Sequence, residues 1–131
     1  MAYYVDTSAL VKLVIAEPET EALHDWLGSQ TQPLVSNDLA RAELLRATRR
    51  AAPDRVVRAR EVLDVLVLTE VRTAIFEQAG RLEQPALRTL DALHLASALD
   101  LGDDLDGMVT YDDRLASAAQ LHGIPVIAPP T

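Results

Sequence analysis

The sequence predicts an α/β domain, a parallel β-sheet covered by helices on both faces. Three observations predict it. Short apolar, partly β-branched runs alternate with longer segments of helical periodicity. Proline and glycine punctuate the boundaries between them. The chain has 131 residues, 49% of them apolar, which suits one compact domain (residues 1–131) with a core that needs no covalent staples.

The elements follow in order. Residues 3–5 read as a short strand ending at Asp6, after which Thr7 or Ser8 caps a helix through Leu10, Val11, Leu13 and Val14. Pro18 suits the first turn of a second helix carrying Ala22, Leu23, Trp26 and Leu27, and Gly28 marks its stop. Residues 33–36 read as the second strand. Asn37 or Asp38 then caps a helix with Leu39, Ala40, Glu43, Leu44 and Ala47, and Pro53 opens the next, through Val56, Val57, Val62 and Leu63. Residues 66–68 form a third strand, and residues 73–82 a helix that breaks before Pro85. Thr89 caps a helix over residues 90–101. It is apolar on almost every side and is expected to be buried centrally. A strand at 108–110, a helix at 113–121 stopped by Gly123, and a strand at 125–127 complete the chain.

Composition removes several chemistries. There is no cysteine, which excludes disulfides, thiolate zinc sites, iron–sulfur clusters and thiol nucleophiles. The N-terminus lacks a signal peptide, and no apolar run approaches ~18 residues, so the chain is expected to be soluble and cytoplasmic. The formal net charge of −8 argues against a nucleic-acid partner, but its distribution does not. Seven of the twelve basic residues lie between Arg41 and Arg60, opposed there only by Glu43 and Asp54, so an acidic protein can still carry a basic patch.

In an open α/β sheet, ligands collect beyond the carboxyl ends of the strands. Asp6 follows the first strand, Glu43 lies in the helix after the second, and Asp112, with Asp113 beside it, follows the strand ending at Thr110. Asp91 stands in the first turn of the apolar helix. Each has an ordinary alternative: Asp6 and Asp112 as helix caps, Glu43 paired with Arg46 or Arg50, Asp91 favoured by the helix dipole. Together they are harder to dismiss, because two like charges at ~4 Å repel by ~4 kcal/mol at an effective dielectric of about 20. Lys12 is the only lysine. An all-oxygen donor set calls for a hard divalent cation, Mg²⁺ or Mn²⁺, and the histidines form no zinc pattern. Such a site suits phosphoryl chemistry.

These residues also carry a family resemblance. Val5-Asp6-Thr7-Ser8-Ala9-Leu10-Val11-Lys12 is similar to the opening of PIN domains of the VapC toxin type. The stretch from Ser36 to Glu43, the block Leu90-Asp91-Ala92-Leu93-His94-Leu95-Ala96-Ser97-Ala98 and the turn Val109-Thr110-Tyr111-Asp112-Asp113-Arg114-Leu115 resemble its other three blocks. The match covers nearly the whole chain, with no departure at an acidic position. It implies a three-layer α/β/α sandwich around a parallel five-stranded sheet. It implies Asp6, Glu43, Asp91 and Asp112 as a catalytic quartet around Mg²⁺ or Mn²⁺, with Ser8 and Thr110 as supporting polar residues and Asp113 as an outer carboxylate. It also implies an endoribonuclease, the toxin of a type II toxin–antitoxin pair. Such a toxin dimerises and is inhibited by a small VapB-type antitoxin that inserts a segment into the acidic groove.

Other residues have competing readings. His94 shares a helical face with Asp91 and either touches RNA, orients Asp91, or is a satisfied buried histidine, the reading its apolar helix favours. His24 and His122 read as surface residues. Lys12 either meets a phosphate, steadies a carboxylate or is solvated, and Arg46 and Arg50 either grip RNA or an antitoxin or form a solvated face. A phospho-accepting receiver domain shares the size and the rim acids. It needs an acid pair after the first strand and a lysine after the last, and Asp6-Thr7 and Pro125-Val126-Ile127 supply neither. A haloacid dehalogenase-type phosphatase needs an aspartate where Ser8 stands, and no glycine cluster supports a phosphate loop. A PIN-like module that only binds remains the last alternative, which metal titration of RNA cleavage separates from the enzyme.

Overall fold

Alternation along the first strand divides the interior into two layers. In β1 (Ala2–Val5), Ala2 and Tyr4 turn to one face of the sheet and Tyr3 and Val5 to the other, as a period of two requires. The computed structural model describes every residue from Met1 to Thr131. After β1 come α1 (Thr7–Val14), α2 (Thr20–Gly28), β2 (Leu34–Asn37), α3 (Leu39–Ala51), α4 (Val56–Asp64) and β3 (Val67–Thr69). Then follow α5 (Thr73–Arg81), α6 (Thr89–Leu99), β4 (Leu105–Val109), α7 (Asp113–Leu121) and β5 (Val126–Ile127). The strands lie in the order β3-β2-β1-β4-β5, and every pairing is parallel. This is the expected three-layer sandwich. The outermost strands are short, three residues in β3 and two in β5.

Val5 packs under α1 to α4 with Leu10, Val14, Leu23, Leu44 and Val62. Tyr4, Val35 and Met108 pack on the opposite face with Leu95 of α6 and Leu115 of α7. Ile75 of α5 closes over Leu93 and Ala96. Helix α6 touches α5, α7, β2 and β4, so all seven residues from Ala92 to Ala98 are buried. The apolar circumference of this helix is thereby accounted for. No helix is long and apolar enough to cross a membrane.

Several boundaries differ from the expected ones. Asp6 caps α1, accepting from the Ala9 amide, so Thr7 and Ser8 lie inside the helix. Helix α2 begins at Thr20, with Pro18 ahead of it, and Thr89 is the first residue of α6, not its cap. Strand β3 starts one residue later than Leu66. Strand β4 begins at Leu105, with Asp106 at a register shift and Gly107 paired to Tyr3, and ends before Thr110. Gly107 is there for closeness: a Cβ would meet Ile127 Cδ1 at 2.5 Å and the Pro125 carbonyl oxygen at 3.0 Å. Gly107→Ala is therefore expected to destabilise by about 1–3 kcal/mol, seen as a lower denaturation midpoint at unchanged slope.

Candidate active site

The strand order reverses between β1 and β4. β1 leads toward β2 and β3 on one side, whereas β4 and β5 extend the sheet on the other. The crevice beyond the carboxyl ends of these two strands is where open α/β sheets receive ligands. Asp6 leaves β1 into this crevice and Asp112 leaves β4, each at the N-cap of the following helix. Glu43 reaches it from the second turn of α3, and Asp91 from the first turn of α6. A cavity of about 680 Å³ opens there, lined by Glu43, Asp91, Asp112, Asp113, Arg88 and Arg114 among others. Three of the four expected acids border it. Asp6 does not, being only 4% exposed.

A hydroxyl network ties the two strand ends together. Ser8 Oγ donates to Asp6 Oδ1 at 2.7 Å, stands 3.3 Å from Thr110 Oγ1, and accepts from the Tyr111 amide. Thr110 Oγ1 accepts from the Asp112 amide at 3.1 Å. Ser8 and Thr110 thus hold Asp6 and the Asp112 turn in one frame. The hydrogen bonds that Asp6 accepts from Ser8 and from the Ala9 amide both fall on Oδ1. Burial pushes the Asp6 carboxyl up to about 6, although Ser8, the charge of His94 and Thr110 pull the other way.

The remaining acids differ in their surroundings. Glu43 Oε1 accepts from Thr7 Oγ1 at 2.9 Å and faces His94 Nε2 at 2.6 Å. Burial alone would raise this carboxyl, but the hydrogen bond and charge of His94, with Thr7, outweigh it and hold Glu43 below the usual range. Asp91 is raised, first by burial and then by the negative charges of Asp112 and Glu43, with His94 and Arg88 only partly offsetting them. Asp112 uses Oδ1 to cap α7 at the Leu115 amide, so its ordinary reading as a cap holds at one oxygen. Behind the cleft, Asn37 joins β2 to α6. Its amide nitrogen donates to Ser97 Oγ at 3.0 Å while its oxygen accepts from the Leu39 amide.

The chemistry of these donors fits a hard divalent cation. The candidates are carboxylate oxygens, Asp91 is repelled by two of the others, and Asp112 accepts hydrogen bonds at Oδ1 alone. Spacing is looser than chemistry: no three acidic or imidazole groups stand at coordination distance from one point. Asp91 and Asp112 are only half-buried, so rotation of their side chains is the adjustment a cation would ask for.

The structure separates the competing readings of three groups of residues. Lys12 is 8% exposed, is bonded to Glu17 and Glu19 at 3.5 and 3.2 Å, and lies over the Tyr111 ring. Of its three readings, this is the lysine that steadies carboxylates, those of Glu17 and Glu19, and not a solvated one. His94 is 2% exposed, too deep to touch RNA, and both ring nitrogens have partners, so it is the satisfied buried histidine its apolar helix favours; the carboxylate it meets is Glu43, not Asp91. The basic stretch also divides. Arg41 pairs with Asp38, and Arg55 and Arg58 donate to the Val14 and Leu13 carbonyls at the end of α1. Arg46 and Arg50 are exposed, form no ion pair, and line a second groove that shares Glu43 and Leu90 with the first. Sequence reasoning missed Tyr4, whose hydroxyl lies 2.7 Å from His94 Nδ1, because the two residues are ninety positions apart.

Known proteins resemble this chain along most of its length. A family model described as PIN domain matches residues 3–127. The chain is 45% identical over 128 residues to Ribonuclease VapC46 of Mycobacterium tuberculosis, covering 98% of both. Among solved structures it is similar to VapC20 of Mycobacterium tuberculosis, described as a Sarcin-Ricin loop cleaving toxin. The TM-score is 0.76 and the identity 18%, over 88% of this chain and 94% of that one. It is also similar to a chain of a toxin–antitoxin complex from Klebsiella pneumoniae, with TM-score 0.70 and 20% identity over 97% of both chains.

Proposed function

The chain belongs to the PIN-domain family, and on that footing we propose that it is a metal-dependent endoribonuclease, the toxin of a type II toxin–antitoxin pair. What supports the proposal is that Glu43, Asp91 and Asp112 line one cavity where the sheet order reverses, with Asp6 buried at the end of β1. A relative of nearly equal length named as a ribonuclease supports it. In this reading the four carboxylates hold Mg²⁺ or Mn²⁺, and Asp113 adds an outer charge at the rim. Such a cation, when bound, lowers the pKa of water, orients a phosphate and neutralises charge on the leaving oxygen.

The protein's own part is positioning and exclusion. Ser8 and Thr110 hold Asp6 and the Asp112 turn in register. Arg88 and Arg114, in the cavity wall, offer positive charge to an RNA strand that the acids would otherwise repel. No side chain acts as a covalent nucleophile. The antitoxin is a small protein seated over the same cleft, and a toxin–antitoxin complex among the structural neighbours supports that partner. Mapping cut sites on total cellular RNA, with and without Mg²⁺, for the parent and Asp91→Asn tests the proposal. Equal cutting by both chains would end it.

Arg46 and Arg50 extend the RNA track along α3. Replacing both by Ala is expected to weaken single-stranded RNA binding across sequences. It should also flatten the dependence of log affinity on log salt by roughly 1.4, about 0.7 for each phosphate that is no longer neutralised. An unchanged salt slope, measured by fluorescence anisotropy, would place the RNA elsewhere.

A further inference from the structure

Tyr4, His94 and Glu43 form one hydrogen-bonded chain across three elements. Tyr4 Oη lies 2.7 Å from His94 Nδ1, and His94 Nε2 lies 2.6 Å from Glu43 Oε1. Each of these elements also carries or leads into one of the four acids. Tyr4 is two residues before Asp6 on β1, His94 three residues after Asp91 on α6, and Glu43 is itself the acid of α3. Tyr4 is fully buried and His94 nearly so, whereas Glu43 borders the cavity. The chain therefore runs from the core outward to the site.

The donor pattern gives the direction. A carboxylate only accepts hydrogen bonds, so Nε2 carries the hydrogen that faces Glu43. Where the ring is neutral, Nδ1 is then the acceptor and the Tyr4 hydroxyl donates to it; where it carries the charge that lowers Glu43, both nitrogens donate, and Nε2–H faces Glu43 in either case. Thr7 donates to the same Glu43 oxygen. Both protein donors converge on Oε1, and Oε2 accepts nothing from the protein. One oxygen is anchored and the other is presented.

We propose that His94 is a positioning residue: its Nε2–H pins Glu43 Oε1 so that Oε2 is presented to a divalent cation, and Tyr4 selects the tautomer that makes this possible. The assignment rests on the metal-dependent reading of the cleft. Groups that orient a ligating side chain typically alter metal affinity 10–100-fold when removed.

The test uses the full chain and Mn²⁺ alone, with no RNA. Affinity is read by calorimetry, and the His94 tautomer by imidazole ¹⁵N shifts. The parent is expected to show the Nε2–H tautomer. His94→Leu is expected to weaken Mn²⁺ binding roughly 10-fold or more. His94→Gln, whose side-chain amide can still donate to Glu43, is expected to restore most of that loss. If His94→Leu does not fold, Tyr4→Phe carries the test. It removes only the hydroxyl, and both the pure Nε2–H signature and some Mn²⁺ affinity should be lost. Full Mn²⁺ affinity in a folded His94→Leu, or in Tyr4→Phe where that variant carries the test, would overturn the positioning role alone. So would a His94→Gln chain as weak as His94→Leu, or an Nδ1–H tautomer in the parent. A parent chain that binds no Mn²⁺ would overturn the metal-dependent reading, and the positioning role with it.

Discussion

Replacing Asp91 by Asn is expected to reduce RNA cleavage by ~10²–10³-fold while leaving the fold in place. That is the scale of losing one preorganised charge-stabilising group, ~2.7–4 kcal/mol in the barrier. The fold should survive because opposing effects meet at this residue. A negative charge in the first turn of α6 is favourable to the helix by about 0.3–1 kcal/mol. In the folded chain, however, that charge is opposed by Asp112 and Glu43, which with burial raise the Asp91 carboxyl. Asn removes both effects and keeps the shape. Single-turnover cleavage of a fixed RNA, with circular dichroism as the control for folding, reads the outcome. Cleavage within a few-fold of the parent would remove Asp91 from the site.

The second large effect runs in the opposite direction. Asp6→Asn should inactivate the protein and also make it more stable at neutral pH in the presence of a chelator. Burial lifts the Asp6 carboxyl in the folded protein to about 6, whereas in the unfolded chain it lies near 3.8. Between these values the folded protein holds the proton more tightly. The stabilising contribution of Asp6 is therefore complete below the unfolded value and is lost as pH rises through the folded one. Above that, its charge costs on the order of 3 kcal/mol, at about 1.4 kcal/mol for each pH unit of displacement. Asn avoids the cost and can still cap α1, since its side-chain oxygen accepts from the Ala9 amide as Asp does. Denaturant titrations at about pH 4 and about pH 7.5 should show the variant's advantage only at the higher pH. Adding Mn²⁺ should narrow it by stabilising the parent. A less stable Asp6→Asn at neutral pH would mean that the carboxylate is not strained by burial.

The layer order is legible in the sequence because two-residue and 3.6-residue periodicities report which face each element buries. Tyr3-Tyr4-Val5 and Pro33-Leu34-Val35-Ser36 read as strands and are strands, apart from ends displaced by a residue or two. Strand β4 reads too short because Asp106-Gly107 looks like turn chemistry. The reason for the glycine is the side chain of Ile127, which lies in the neighbouring strand β5. The acids are legible as a set because strand ends can be found from local pattern. Their surroundings are not. The sequence leaves three readings open for Lys12, since nothing periodic announces that a loop around Pro18 folds Glu17 and Glu19 back onto it. The link from Tyr4 through His94 to Glu43 joins three segments far apart in the chain, and no local spacing encodes it.

The brevity of β3 and β5 bears on behaviour at high concentration. A long outer strand exposes a row of unpaired amides and carbonyls on which another molecule can add its own strand, the first step toward fibrous association. Here the margins offer only three and two residues. Such short margins give incoming backbone little to grip, and self-templated growth from either rim is disfavoured.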